Sequence, residues 1–349
     1  MTRLAKAFVR QAEVCPGLGS PFMGRLMGLC AARLTPDDGV LAARMFAWPG
    51  DVSAAGDSLP LRLAGGLHAL HLLGRGGLGP VYPPNAVADD DLWSAVRNAM
   101  RTEAAFLDSW LDRPPQTNEL QRAGPVRAAA QWVAAHHGLP LEVWEVGASA
   151  GLNLNWDRFA LHLGDQVFGP SDTPVALRPE WDGPLPPKLE PRVVAKAGVD
   201  LTPLDPATDH LRLKAYLWPD QADRLTRMEA ALTLPQTPVD AGCAADWLEA
   251  RLAQTRPAGQ TLFLFHTIAW QYFPPDVQAR ATAALERAGA AATEDRPLAW
   301  FGIEADDATP GAGMVLRLWP GGTIHDAGRT DFHGRWVQWR LPPPAHGAP

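Results

Sequence analysis

The spacing of apolar residues divides the chain into two parts. The first part has the period of amphipathic helices, and a helix is predicted to begin after Ser20, an N-cap residue followed by Pro21. The apolar face of that helix carries Phe22, Leu26, Cys30 and Leu34. Similar patterns follow as far as Gly138, which is placed to end a helix. We therefore predict a helical N-terminal region over residues 1–138.

Beyond Leu141 the pattern changes to short apolar runs that alternate with helical segments. A hairpin is predicted in FALHLGDQVFG, around Gly164 and Asp165. Strands are predicted in LEVWEVG, RVVAKAGVDLTPLD, TPVDAG, TLFLFHT, LAWFGIEAD, GMVLRLWPGG and RWVQWRL. Apolar strands that alternate with helices are typical of a mostly parallel sheet covered on both faces. The last three runs have little helix between them, which indicates an antiparallel closing edge.

The predicted α/β domain spans residues 139–342. Within it, a Pro-rich stretch at about 168–191 is too irregular for a core and is predicted to form an insertion or lid. The last residues, 343–349, are predicted to be a flexible tail.

Composition narrows the classes of function. The net charge of −7 and a pI near 5.8, with no run of Lys or Arg, argue against a nucleic-acid partner. No apolar run approaches the roughly 20 residues that cross a bilayer, and the N-terminus lacks the apolar core of a signal peptide. We therefore expect a soluble, cytoplasmic protein without membrane contact. The cysteines and histidines show no metal-ligand spacing, so no metal site is predicted. A small-molecule substrate is the expected partner, and the sequence indicates no oligomeric state.

The segment Gly147–Gly151, GASAG, follows the first predicted strand. As the G-x-S-x-G turn of a serine hydrolase, it would make Ser149 a nucleophile, with Asp306 and His333 following in the expected order. The mostly helical stretch before it offers no earlier strands or oxyanion loop, so the hydrolase is an alternative interpretation only. A dinucleotide-binding turn would need glycines where Ser149 and Leu152 stand, and is disfavoured.

EVGASAG resembles the acid-x-Gly-x-Gly-x-Gly turn of class I S-adenosylmethionine-dependent methyltransferases, with a serine in place of the middle glycine. Small residues let the backbone approach a ligand, and a following helix would offer free N–H groups. The resemblance implies a Rossmann-like, seven-stranded, mostly parallel sheet and S-adenosylmethionine as cofactor. The residues of this segment that it implies for cofactor binding are Glu145, Gly147, Ser149, Gly151 and Asn153.

The ends of later strands carry further polar residues. Asp200 follows the second strand, where such methyltransferases hold the cofactor ribose, and a carboxylate can accept hydrogen bonds from two vicinal hydroxyls. Asp240, at the third strand, is expected on the adenine side, and His266 ends the fourth strand. Because ligands in open α/β sheets bind at the carboxyl ends of strands, we expect these residues to meet at one site.

A closer resemblance runs along nearly the whole chain. It is carried, in order, by PQTNE, EVGASAGLNLNWDRF, GVDLTPLD, WPDQADR, HTIAWQYF and DFHGRW. Together these segments are similar to those of the bacterial family called domain of unknown function 2332. The resemblance implies a methyltransferase-type fold with a helical N-terminal region, and no particular activity.

These segments supply the candidates for catalysis and substrate binding. His266 is the best candidate for a general base, because histidine titrates near neutral pH, and His333 is the second. Aromatic rings after the fourth strand can enclose a substrate or a cation, and an arginine can bind a carboxylate or phosphate. The residues predicted to bind substrate are Asn118, Trp218, Gln221, Trp270, Gln271, Tyr272 and Arg335.

The sequence therefore predicts an S-adenosylmethionine-dependent methyltransferase that acts on a small molecule. An alternative of another class is a non-catalytic protein that binds a nucleotide-like ligand or a partner on the same fold. Ser149 in place of glycine and the absence of an acceptor motif such as N-P-P-Y leave this alternative open. The serine hydrolase is the second alternative.

Overall fold

The computed structural model describes residues 1–344, which form two compact units. The first contains residues 1–117 and 207–228, and the second contains residues 118–206 and those from 229 onward. The helices are α1 (Arg3–Gly17), α2 (Pro21–Arg33), α3 (Val40–Phe46), α4 (Leu59–Leu72), α5 (Asp89–Thr102), α6 (Ala104–Leu111), α7 (Ala123–His137), α8 (His210–Ala215), α9 (Ala222–Leu232), α10 (Ala244–Leu252) and α11 (Pro275–Ala290). The strands are β1 (Leu141–Val146), β2 (Ala160–Leu163), β3 (Gln166–Phe168), β4 (Ala176–Leu177), β5 (Glu180–Asp182), β6 (Val193–Asp200), β7 (Asp240–Ala241), β8 (Thr261–Thr267), β9 (Leu298–Glu304), β10 (Ala312–Trp319), β11 (Thr323–Thr330) and β12 (Trp336–Trp339).

The first unit is helical, and its core is formed by the apolar faces of α1 to α6. The prediction for α2 is confirmed: Ser20 accepts the N–H of Met23 and Pro21 begins the helix.

Tyr216, which follows α8, packs closely on Gly65 of α4. A Cβ at residue 65 would lie 2.5 Å from the Tyr216 ring. A glycine at this position therefore allows the segment after residue 206 to pack on α4.

The second unit is built on a nine-stranded sheet with the order β5-β12-β11-β10-β9-β8-β1-β6-β7. The five neighbouring strands β7, β6, β1, β8 and β9 run parallel. The strands β9, β10, β11 and β12 form an antiparallel meander, and β5 lies parallel to β12. The prediction of a mostly parallel sheet with an antiparallel edge is confirmed. The expected number of seven strands was wrong, because the polar run TIHDAGRT forms β11 and the Pro-rich segment contributes β5.

Both faces of the central strands are covered, which explains why every residue of β8 is buried. On one face Trp144, Val146 and Leu264 pack against α10 and α11. On the other face the rings of Phe263, Phe265 and Phe301 stack on one another, and α7 packs on β8 and β9. For this reason α7, which the sequence pattern grouped with the N-terminal helices, belongs to the second unit.

A small second sheet, with the order β3-β2-β4, completes this unit. Its β2–β3 pair is the hairpin predicted around Gly164. The Pro-rich segment holds β4, which pairs with β2, and β5, which pairs with β12, so it connects the two sheets. The predicted tail lies largely outside the described residues. No helix within residues 1–344 is long and apolar enough to cross a membrane.

Candidate functional site

The parallel strands β6, β1 and β8 end side by side at one edge of the large sheet. The chain passes from β1 to β6 on one side and later crosses to β8 on the other side. The strand order therefore reverses between β1 and β8, and ligands of open α/β sheets bind in the crevice outside such a reversal. The residues that follow these strand ends are the candidates for a functional site.

The turn after β1 alternates between left-handed and ordinary backbone. Gly147, Ser149 and Gly151 have φ values of 70°, 51° and 69°. These are the three positions that hold glycine in the acid-x-Gly-x-Gly-x-Gly pattern, and each adopts the backbone that favours glycine. Ser149 adopts it with a side chain, which costs about 1–2 kcal/mol. The helix expected after this turn is only a 3-10 segment, Asn153–Arg158, so the predicted helix N-terminus was wrong.

Every backbone N–H from Gly147 to Gly151 is hydrogen-bonded within the protein. The N–H groups of Gly147 and Ala148 donate to the Val199 carbonyl at 2.9 Å and 3.1 Å. Those of Ser149 and Ala150 donate to the side chains of Asp200 and Asn118, at 2.8 Å and 3.3 Å. The Gly151 N–H donates to the Ala148 carbonyl at 2.7 Å. The turn is thus rigidly closed, and its N–H groups are already used.

Asn118 and Asp200, both predicted to bind ligand, hold this turn from two different segments of the chain. Asn118 Nδ2 donates to Ser149 Oγ at 3.0 Å, while its Oδ1 accepts the Ala150 N–H. Asp200 Oδ2 accepts the Ser149 N–H, and Oδ1 accepts the Thr202 N–H at 2.9 Å. Both side chains therefore fix the conformation of the turn.

Glu145 lies buried beneath the turn, with 2% of its surface exposed. Burial raises the pKa of its carboxyl well above the ordinary value of 4.5, the charge of Asp200 raises it further, and Arg122 opposes the rise. Glu145 Oε2 and the buried Oδ1 of Asn153 have no hydrogen-bond partner within residues 1–344. An unpartnered buried polar atom calls for an explanation, and a water or a ligand group bound beside the turn is one.

Arg122 connects three segments at this edge and was not identified from the sequence. Its Nε donates to the Phe332 carbonyl at 2.8 Å, and its Nη1 donates to the Thr267 carbonyl, at the end of β8, at 3.2 Å. It is 7% exposed, and its charge acts on Glu145. A single Arg in NELQR carries no motif, so only the fold reveals its position.

His266 forms a tight pair with Glu304, which ends β9. His266 Nδ1 lies 2.7 Å from Glu304 Oε1, and Glu304 also accepts the N–H groups of Ala269, Trp270 and Gln271. Burial acts to raise the pKa of Glu304, but the hydrogen bonds from His266 and the backbone lower it overall. Because a carboxylate accepts hydrogen bonds, the proton of the neutral His266 ring is placed on Nδ1, which donates to Glu304. The other ring nitrogen, Nε2, is then an acceptor.

His266 and Glu145 project from opposite faces of the sheet. Glu145 is the register partner of Phe265, and successive side chains of a strand alternate between faces. His266 accordingly stacks on Trp270 at 4.8 Å and lies near Trp300 at 6.0 Å, on the α10–α11 face. The sequence expected both residues at one site. The structure instead separates the buried polar cluster around Glu145 from the His266–Glu304 pair.

The residues after β8 have different surroundings. Trp270 packs on His266, Trp300 and Phe273. Gln271 Oε1 accepts the Ala305 N–H at 3.1 Å and so connects this loop to the end of β9. Of the three predicted substrate residues in this loop, Trp270 is partly buried, whereas Gln271 and Tyr272 are exposed, Tyr272 at 60%.

The DFHGRW loop joins β11 to β12. Asp331 is 4% exposed and accepts the His333 N–H as well as Nε and Nη2 of Arg335, at 2.9 Å and 2.8 Å for the two guanidinium contacts. The left-handed Gly334 lies so close to Gln121 that a Cβ would be 2.7 Å from its carbonyl carbon. The loop is therefore fixed against the segment that precedes α7, and Arg335 is directed to Asp331.

Asp240 is committed to neighbouring side chains. Its Oδ2 accepts Trp247 Nε1 at 2.7 Å and Arg251 Nη2 at 3.0 Å, and these contacts lower the pKa of the carboxyl. The Arg251 guanidinium lies 4.4 Å from the centre of the Trp247 ring. Asp240 thus anchors α10 beside β7.

The order of these segments along the chain agrees with one protein family. The sequence matches the model of a family described as an uncharacterized protein conserved in bacteria, DUF2332, over residues 5–339. The chain belongs to the DUF2332 family. No curated protein matches it. The match spans both compact units, so the helical unit and the sheet unit are together part of the DUF2332 sequence.

Two predicted substrate residues of this DUF2332 protein lie in the first unit. Gln221 Nε2 donates to the Leu18 carbonyl at 2.9 Å, and its Oε1 accepts Arg224 Nη1 at 2.6 Å. Trp218 is 8% exposed and lies beneath the Arg224 guanidinium. Asp220 accepts the Phe22 N–H at 2.9 Å and so caps α2 from a distant part of the chain. In this unit the WPDQADR segment makes structural contacts.

Glu304 is the second residue that the sequence did not identify. The sequence signal for Glu304 is an acidic residue at the end of β9, the strand next to β8. His266 pairs with Gly302, and Glu304 lies two residues further along, so both side chains project from the same face of the sheet. Within residues 1–344, no group of three His, Cys, Asp or Glu side chains is arranged to hold a metal ion.

Proposed function

We propose that this DUF2332 protein is an S-adenosylmethionine-dependent methyltransferase that acts on a small molecule. The proposal is carried by one observation: Asp200 and the left-handed 147–151 turn lie together at the strand reversal between β1 and β8. The order of the parallel strands supports it, because β7-β6-β1-β8-β9 is the 3-2-1-4-5 order of nucleotide-binding α/β sheets.

The hydrogen bonds of the turn favour a nucleoside over a phosphate-bearing ligand. Phosphate sites in such turns use free backbone N–H groups, and all five N–H groups from Gly147 to Gly151 donate within the protein. The Asp200 carboxylate beside the turn favours hydroxyl donors and cations instead. A ligand with a ribose and a positively charged centre matches this chemistry, and S-adenosylmethionine has both.

An apolar side chain is available next to Asp200. Leu201, which directly follows β6, is 78% exposed. An exposed large aliphatic residue beside a ribose-binding carboxylate offers a surface to the flat face of a base. Asp200 would hold the ribose hydroxyls, Leu201 the adenine ring and the 147–151 turn the remainder of the cofactor.

Methyl transfer requires positioning more than it requires acid or base. When bound, the cofactor supplies a methyl group on a sulfonium for direct displacement, and orientation of two reactants contributes on the order of 7–11 kcal/mol. The protein's part is to hold the turn rigid through Asn118 and Asp200 and to exclude water around Glu145. His266 lies on the opposite face of the sheet, and its role as a base stays a prediction.

The serine hydrolase is a second candidate because Ser149 has the left-handed backbone of a sharp strand-to-turn junction. Its hydroxyl, however, accepts from Asn118 Nδ2, and Asp306 forms a two-point ion pair with Arg329 at 2.8 Å for each contact. A fluorophosphonate probe that labels the protein, but not the Ser149→Ala variant, would establish this activity.

The decisive experiment is a calorimetric titration with S-adenosylmethionine, S-adenosylhomocysteine, adenosine and ATP. We expect micromolar binding of the first two, with ATP weaker than adenosine because no N–H of the turn is free. Asp200→Asn should weaken binding about tenfold or more, since it removes a charge-assisted contact to the ribose. Asp246→Asn, at an exposed acid of α10 that pairs with Arg280, is the matched control.

Absence of binding by both S-adenosyl compounds would overturn the proposal, and so would tighter binding of ATP. Binding without production of S-adenosylhomocysteine, across small-molecule fractions of a bacterial extract, would favour the non-catalytic ligand-binding alternative.

A further inference from the structure

The loop after β8, residues 268–273, begins with a strained residue. Ile268 has a φ of 50°, in the left-handed region that a β-branched residue rarely adopts. Its N–H donates to the Ile303 carbonyl at 2.7 Å, and the carbonyl of the preceding residue, Thr267, accepts Arg122 Nη1. Such strain persists only where the surrounding structure fixes the backbone, and residues of this kind cluster at active sites and ligand clamps.

The strained residue is followed by a close contact with the turn after β1. A Cβ added to Gly147 would lie 2.4 Å from the Cβ of Ala269 and 3.6 Å from Cζ of Phe273. Gly147 also has a φ of 70°, so both its backbone and its surroundings require glycine. The loop therefore supports one end of the 147–151 turn, beside which the proposed function places the cofactor.

The carboxylate of Glu304 holds the loop in this conformation. Its Oε1 accepts the N–H groups of Ala269 and Trp270, each at 3.0 Å, and its Oε2 accepts the Gln271 N–H at 3.4 Å. Hydrogen bonds to an ionised acceptor are stronger than those between neutral groups. Because Glu304 is the last residue of β9, these bonds fasten the loop to the sheet itself.

We propose that Glu304 is a positioning residue for the cofactor site, an inference that rests on the proposed function. The carboxylate offsets the strain at Ile268 and so keeps Ala269 against Gly147. Without it, the loop would leave the turn in part of the molecules, and the ligand would bind only those in which the support is in place. The apparent Kd rises as the inverse of that fraction.

A double-mutant cycle tests this proposal by calorimetric titration with S-adenosylhomocysteine. Glu304→Gln leaves one acceptor oxygen for the loop and His266, and should weaken binding about tenfold. Ile268→Gly removes the strain that the carboxylate opposes, and alone should change binding less than about twofold. The double variant should bind within about threefold of the native protein, because an unstrained loop needs less support. Glu286→Gln, at an exposed glutamate of α11, should not alter binding.

Hydrogen exchange without ligand separates release of the loop from loss of the fold. In Glu304→Gln, the N–H groups of residues 269–271 should exchange about tenfold faster, while those of β8 keep their native rates. Unchanged exchange in the loop, equal acceleration in β8, or a double variant that binds no better than Glu304→Gln would overturn the proposal.

The same titrations distinguish this inference from the proposed function. Failure of the native protein to bind either S-adenosyl compound would overturn the proposed function. Native binding that is unchanged in Glu304→Gln would overturn the positioning role of Glu304 alone.

Discussion

The backbone N–H of Ser149 donates to Oδ2 of Asp200 across 2.8 Å, which ties the turn after β1 to the end of β6. The same serine has a φ of 51°, so a residue with a side chain stands where the backbone favours glycine. The hydrogen bonds from Asn118 and to Asp200 offset the strain that this conformation stores.

Ser149→Gly and Ser149→Ala should differ in stability, although both remove the hydroxyl. Alanine keeps the left-handed strain and glycine relieves it, so we expect the glycine variant to be more stable by about 1 kcal/mol. Urea unfolding followed by Trp fluorescence measures the difference. Equal stability, or a more stable alanine variant, would mean that the turn does not hold Ser149 in this backbone conformation.

Glu145→Gln should stabilise the protein increasingly as pH rises. The pKa of Glu145 is raised on folding, so its contribution to stability is fully present below its ordinary pKa of 4.5. It then falls by about 1.4 kcal/mol per pH unit until the pH reaches the folded-state pKa. Glutamine resembles the neutral carboxyl and avoids this loss. Unfolding of both proteins at about pH 5 and about pH 8 tests this, since a pH-independent difference would contradict a buried neutral Glu145.

Glu304→Gln should change the tautomer of His266. In the native protein we expect the proton on Nδ1, held by the carboxylate, with Nε2 unprotonated, as read from the ¹⁵N shifts of the ring. Glutamine has one acceptor oxygen for the four groups that Glu304 accepts, so the tautomers should mix and stability should fall by about 1–3 kcal/mol. Glu286→Gln, at an exposed glutamate of α11, should change neither quantity. An unaltered His266 spectrum in Glu304→Gln would refute the assignment.

Glu190→Gln should destabilise the second unit through Arg127. The Arg127 guanidinium is fully buried and donates to the Trp156 carbonyl at 3.0 Å and to Glu190. Without the carboxylate the buried cation loses its counter-charge, which we expect to cost about 1–3 kcal/mol because Glu190 itself is half-exposed. Glu13→Gln, in an exposed pair with Arg10, serves as the control and should cost much less. Similar losses in the two variants would show that burial of Arg127 is irrelevant.

The sequence predicted those parts of the fold that depend on local pattern. Buried parallel strands such as TLFLFHT are nearly continuous apolar runs, and the hairpin around Gly164 has a turn signal between two alternating segments. It missed β11, because TIHDAGRT mixes polar and small residues whose burial depends on its neighbours β10 and β12. It also placed α7 with the N-terminal helices, since a helix pattern does not reveal which surface the helix covers.

The sequence pattern predicted which residues of the candidate site lie at the ends of strands, but not the face of the sheet from which each side chain projects. Glu145, Asp200 and His266 do lie at one edge of the sheet, as parallel strands require. The faces could not be assigned until the register of β1 against β8 was known, because one residue of shift exchanges the two faces. Arg122 and Glu304 were not identified because each acts through a contact with a distant part of the chain. Arg122 contacts Thr267, which is 145 positions away, and Glu304 contacts His266, which is 38 positions away.

The Pro-rich segment has a consequence for how the protein behaves in a crowded solution. An open sheet invites other chains to add strands at its two outer borders. One border is β7, of two residues, and the other is β5, of three residues, with Glu180 and Asp182 exposed on it. Such short, charged borders are poor templates for a foreign strand. By placing β5 beside β12, the segment shields the tryptophan-bearing end of the meander and protects the protein from edge-to-edge aggregation.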